Sequence, residues 1–174
     1  MQLLATPVLA MSLLLASSVD AKDPAKTAEP ASADLDAVAL VLEEIACTAS
    51  PEPAPALQAL MEARRLDLDS ALRMDSTTCW ALTPPIEAGD IAFSHVCAAA
   101  EDPALIEQHP DLFWRGPGTS PGTELTLVTP ADEETLQAWG MANITEVSPA
   151  YNIAPSYRID DATELSCNSL AFTF

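Results

Sequence analysis

Apolar positions recur at helical spacing over residues 35–46, where Leu35, Val38, Ala39, Leu42, Ile45 and Ala46 form one stripe. Ser32 precedes this stripe as an N-cap, with Asp34 and Asp36 in a first turn that the helix dipole favours. The pattern predicts a helix over 33–47. Ser50-Pro51-Glu52 is a second start signal, and Leu57, Leu60 and Met61 carry a second stripe to about residue 64. Two helices joined by so short a link pack as a hairpin.

Beyond Met74 the period shortens. Residues 77–82 and 90–98 read as strands separated by a loop, Thr83-Pro84-Pro85-Ile86-Glu87-Ala88-Gly89. Asp102-Pro103 opens a short helix that Pro110 closes, and residues 116–122 read as a Gly/Pro loop. Residues 123–128 read as a strand. Thr129-Pro130-Ala131-Asp132 then starts a helix over 130–139, with Gly140 as its C-cap. Residues 144–147, 157–160 and 164–169 are weaker strand candidates. The sum is an α+β fold: an N-terminal helical hairpin on a small, mostly antiparallel or mixed sheet, with one or two further helices.

The N-terminus is a different kind of segment. Residues 3–16 are almost wholly apolar, and Val19-Asp20-Ala21 resembles an A-x-A cleavage site, the pattern of a secretory signal peptide. The run is too short for a spanning helix, which needs about 20 apolar residues. The expected organisation is a signal peptide over 1–21, a flexible lead-in over 22–31 and a single globular domain over 32–174. Export to the periplasm or the medium follows, without stable membrane insertion after cleavage. Both lysines, Lys22 and Lys26, fall in the lead-in. The arginine preference beyond it, with abundant alanine, suggests a GC-rich bacterial gene.

Cys47, Cys79, Cys97 and Cys167 form an even set in an exported chain and read as two disulfides. Their separations of 32, 18 and 70 contain no C-x-x-C, so the spacing supports neither a zinc site nor a redox motif. Loop-closure entropy does not choose a pairing. Side-chain alternation, with Trp80 and Leu82 facing the core and Cys79 away from it, favours Cys47–Cys79 and Cys97–Cys167.

The 174 residues carry 26 acidic against 7 basic side chains, a formal net charge of −19. That balance excludes nucleic-acid binding through backbone phosphates. Candidate chemistry is sparse. Ser94-His95-Val96-Cys97 puts a histidine and a cysteine on one face of a strand, the raw material of nucleophilic catalysis if the thiol is free. His109, beside Pro110 at a helix end, is the second weak candidate. Asp67-Leu68-Asp69-Ser70 and Asp160-Asp161 lack the glycine of a calcium loop and read as solvated turns. The chain contains no G-x-S-x-G, H-E-x-x-H, Walker or G-x-G-x-x-G motif. No residue is assigned to catalysis, to a cofactor or to a metal. The resulting expectation is an exported, non-catalytic domain that binds a protein or an envelope component. The alternatives are a hydrolase assembled from distant residues, with His95 and His109 converging, and a divalent-cation-binding protein.

Overall fold

The computed structural model describes residues 30–118, 122–144 and 150–172. The expected signal peptide over 1–21, most of the expected lead-in over 22–31 and most of the 144–147 strand candidate lie outside them. Helices α1 (Pro30–Ile45) and α2 (Pro53–Glu62) come first. Strands β1 (Leu72–Met74), β2 (Thr77–Ala88) and β3 (Ile91–Ala99) follow, then α3 (Pro103–Gln108), β4 (Glu124–Thr129) and α4 (Glu133–Asn143). Strands β5 (Tyr151–Pro155) and β6 (Thr163–Asn168) complete the sheet. All pairings are antiparallel, in the spatial order β1-β2-β3-β4-β6-β5. This is the expected α+β architecture, a helical pair on an antiparallel sheet with disulfide staples.

Residues paired across antiparallel strands share a face, so the register sorts the sheet into two layers. Trp80, Val96, Leu127 and Leu165 form one row across β2, β3, β4 and β6. All four are fully buried and pack with Ala37, Val41 and Ile45 of α1 and Leu57 and Leu60 of α2. Each large apolar side chain buried here contributes about 1.5–3 kcal/mol, so this layer is the main source of stability. The adjacent row on the opposite face is Cys79, Cys97, Thr126 and Ser166. Over it folds the β5–β6 connection, whose Ile159 and Ala162 pack on Cys79, Cys97 and Val128.

Several sequence expectations shift. The first helix starts at Pro30, so Ser32 lies inside it, and its buried stripe is Ala37–Val41–Ile45 while Leu35 is exposed. The last helix is capped by Asp132, whose carboxylate accepts from the Thr135 N–H at 2.8 Å, and Gly140 is buried in its interior. The 83–89 loop is instead the outer half of β2. Two prolines are tolerated there because the ladder with β3 is interrupted between Ala81 and Ile86. Arg65 donates to the carbonyls of Pro84 and Pro85 at 3.1 and 3.0 Å, and its Nε and Nη2 grip Asp34 of α1. One guanidinium therefore ties both N-terminal helices to the proline segment. Residues 157–160 are not a strand. They form the turn over the second face, and the strand lies earlier, at Tyr151–Pro155.

The cysteine pairing differs from the sequence expectation. The bonds are Cys47–Cys167 and Cys79–Cys97. Cys79 and Cys97 are direct cross-strand partners, so their side chains leave the sheet on the same side. The alternation argument fails at Ser94–His95. Phe93 and Val96, three apart, both enter the main core, so period two is broken between them and Cys97 lands on the second face beside Cys79. Cys167 of β6 faces the helices, where Cys47 leaves α1 with φ 59°.

Candidate functional site

The structure separates the residues that the sequence singled out. Cys97 is committed to its bond with Cys79 and offers no thiol. His95 shares the face of Cys97, as its pairing with Ala81 requires, and meets Ser94 instead of a carboxylate. Ser94 Oγ lies 2.9 Å from His95 Nδ1 and 3.3 Å from the Val128 carbonyl oxygen. The hydroxyl carries one proton: aimed at Val128 it accepts from Nδ1–H, and aimed at the ring it donates to Nδ1 of the other tautomer. Burial pushes the His95 pKa below the ordinary histidine value, so the ring is neutral at pH 7.

His109 follows α3 as its C-cap and belongs to the helical side of the molecule. Its Nδ1 lies 3.3 Å from Gln58 Nε2 of α2, and its ring meets Phe113 edge-on at 6.4 Å. It lines an open cleft of about 410 Å³ with Pro51, Glu52, Pro55, Gln58 and Leu105. The two histidines thus do not converge. Asp67 caps the short 3₁₀ turn Leu68–Ser70, and Asp160 and Asp161 sit exposed in a turn. Among the described residues no group of three or more His, Cys, Asp or Glu side chains is placed to hold a metal ion. Leu112 and Phe113 are core residues, while Trp114 is half-buried under the Arg73 guanidinium at 5.7 Å.

A cluster that the sequence did not announce lies on the second face. Arg158 projects from the β5–β6 turn to two carboxylates on neighbouring strands. Its Nη2 meets Glu124 Oε1 of β4 at 3.0 Å, and Nη1 reaches both Glu164 oxygens of β6 at 3.3 and 3.4 Å. All three side chains are more than nine-tenths buried. Thr126 and Asn168 donate the further hydrogen bonds to Glu124, at 2.9 and 3.1 Å, and the Tyr157 ring stacks on the guanidinium at 4.4 Å. The alternation Glu124-x-Thr126 and Glu164-x-Ser166-x-Asn168 was the available signal: a polar strand face that, once covered, requires an internal cation.

Two carboxylates sharing one guanidinium leave the cluster one negative charge in excess. Burial raises the Glu164 pKa, more than Arg158 lowers it. Burial also raises that of Glu44. A carboxyl raised on folding binds its proton more tightly in the native state, so stability falls as pH rises from the ordinary glutamate value of 4.5 through the folded value. Asp34 is lowered by its hydrogen bond to Arg65, and Asp132 by its hydrogen bonds to Thr135. Their stabilisation is present above the ordinary aspartate value of 3.8 and is lost as pH falls through the folded values. The melting temperature should therefore peak on the acid side of neutrality. In thermal melts between about pH 3 and pH 8, Glu164→Gln should flatten the decline on the neutral side; an unchanged slope would remove Glu164 as its source.

The chain matches no protein-family model, no curated protein and no solved structure. Among the described residues no helix is long and apolar enough to cross a membrane.

Proposed function

We propose that the chain is an exported bacterial domain, periplasmic or secreted, that acts without catalysis by binding a protein or envelope component of opposite charge. The observation that carries this reading is how the basic side chains are used. From Thr27 onward five arginines face 24 carboxylates. Arg65 is held by Asp34, Arg158 by Glu124 and Glu164, and Arg73 lies over Trp114. The surface left over is dominated by hydrogen-bond acceptors and negative charge, which steers and selects cationic partners. The two disulfides support an oxidising compartment.

A second reading, a hydrolase, is favoured by the 2.9 Å approach of Ser94 Oγ to His95. One experiment separates them. The native protein is recovered from cell fractions, its intact mass is measured, and carboxylates are coupled to neighbouring amines with a carbodiimide. The expected result is an extracytoplasmic chain beginning at Lys22, cross-linked to lysines of one partner. A cytosolic chain retaining Met1 would overturn the exported reading. Hydrolysis of a p-nitrophenyl ester that His95→Ala abolishes would replace the binding reading with the hydrolase.

A further inference from the structure

Helix α4 lies beside the β2–β3 turn, and a cavity of about 570 Å³ opens between them. One wall is the α4 face carrying Glu134, Ala138, Trp139, Ala142 and Asn143; the other is Gly89, Asp90 and Ile91. Gly89 holds the turn at φ +62°, and a Cβ there would make ordinary contacts, 3.7 Å from the Trp139 indole nitrogen and 3.9 Å from Asn143 Oδ1. Trp139 is fixed: its Nε1 donates to the Ala88 carbonyl at 2.6 Å, and its ring meets Phe93 edge-on at 5.3 Å. Asn143 is fixed too. Its Nδ2 donates to the Trp139 carbonyl at 2.9 Å, which turns Oδ1 towards Gly89.

The side-chain groups presented to this cavity are the Asp90 and Glu134 carboxylates, the Asn143 carbonyl oxygen and the Thr135 hydroxyl, which can donate or accept, beside Ala138, Ala142 and the largely buried Trp139. Among the described residues no basic side chain lines it. An anion is repelled, and an apolar ligand would strip water from carboxylates without replacing it. A cation with a methylene stem satisfies both parts, because the stem lies on alanine and tryptophan while the charged head meets the acceptors. A neighbouring depression of about 440 Å³ shares Gly89, Trp139 and Asn143 and continues over Leu42, Ala46, Thr48 and Ile144, giving a mostly apolar path for residues flanking that side chain.

We infer that this cleft is the docking point for a lysine or arginine side chain projected by a basic segment of the partner protein. The inference rests on the binding reading above and gives it a location. The probe is an acetylated, amidated pentapeptide with one central arginine, titrated into the full chain while the Trp139 indole N–H is followed by NMR. Its controls are the same peptide with glutamine at the centre, and putrescine. The expected result is a saturable shift of the Trp139 signal with the arginine peptide alone. Asp90→Asn with Glu134→Gln, both at exposed positions and so compatible with the fold, should weaken binding about tenfold or more. Undiminished affinity in that double variant, or shifts that bypass Trp139, would overturn the cleft and leave the binding reading standing on another surface. Putrescine binding more tightly than the peptide would overturn the protein side chain as occupant. No shift at any signal would overturn the cleft, and the binding reading as well if the cross-linking experiment also returns no partner.

Discussion

Replacing Arg158 with methionine is expected to destabilise the domain by about 3–5 kcal/mol, because the change strands two buried carboxylates without their cation. Glu124 would keep the hydrogen bonds from Thr126 and Asn168, whereas Glu164 would lose its ion pair with Arg158. The turn over the second face would loosen with it, since Arg158 is the ionic tie between that turn and strands β4 and β6, beside the packing of Ile159 and Ala162. Urea unfolding monitored by tryptophan fluorescence measures the loss. Adding Glu124→Gln and Glu164→Gln to Arg158→Met should recover a large part of it, as neutral amides cost far less to bury than unpaired carboxylates. A single variant as stable as the wild type would show that water already solvates this cluster.

Removing the Cys47–Cys167 bond with paired serines is expected to cost about 4–5 kcal/mol, the largest effect of any cross-link here. The bond closes a loop of sequence separation 120, and chain entropy released on opening grows with the logarithm of that length. The Cys79–Cys97 bond closes only 18 residues between strands already paired by their ladder, and its loss should cost about 3 kcal/mol. Guanidinium midpoints of the two double variants check the order. A larger loss for the cross-strand pair would mean that packing under Ile159, and not loop closure, sets the contribution of these bonds.

Most of the architecture was legible in the chain because independent local signals agreed. The helices on either side of Cys47 combine apolar spacing with start signals, and Thr129-Pro130-Ala131-Asp132 marks the α4 start to within three residues. What escaped depends on tertiary partners. The Ser94–His95 break in alternation has no local signature, yet it decides which face Cys97 occupies and so which cysteine it meets. The prolines of 83–89 read as a loop because the side chain that satisfies their carbonyls, Arg65, is some 20 residues away in sequence. The Arg158 cluster was hidden for the same reason. Its acids stand at polar positions that face solvent in most antiparallel sheets, and only the turn above them turns those positions into an interior. The α4 cleft likewise joins Asp90 to Glu134 across 44 positions of chain that no spacing rule connects.

The long-range disulfide also has a mechanical meaning. Tension applied to the chain before Cys47 and after Cys167 passes from one strand of polypeptide to the other through a single sulfur–sulfur bond. The sheet, α2, α3 and α4 sit inside the closed loop and bear none of that load. Among the described residues, α1 before the bond and the 3₁₀ turn Ser169–Phe172 after it lie in series with it, and α1 would unwind from Pro30 towards Ile45 while the remainder kept its shape. Under stretching, the protein would behave as a short extensible leash attached to an inextensible body.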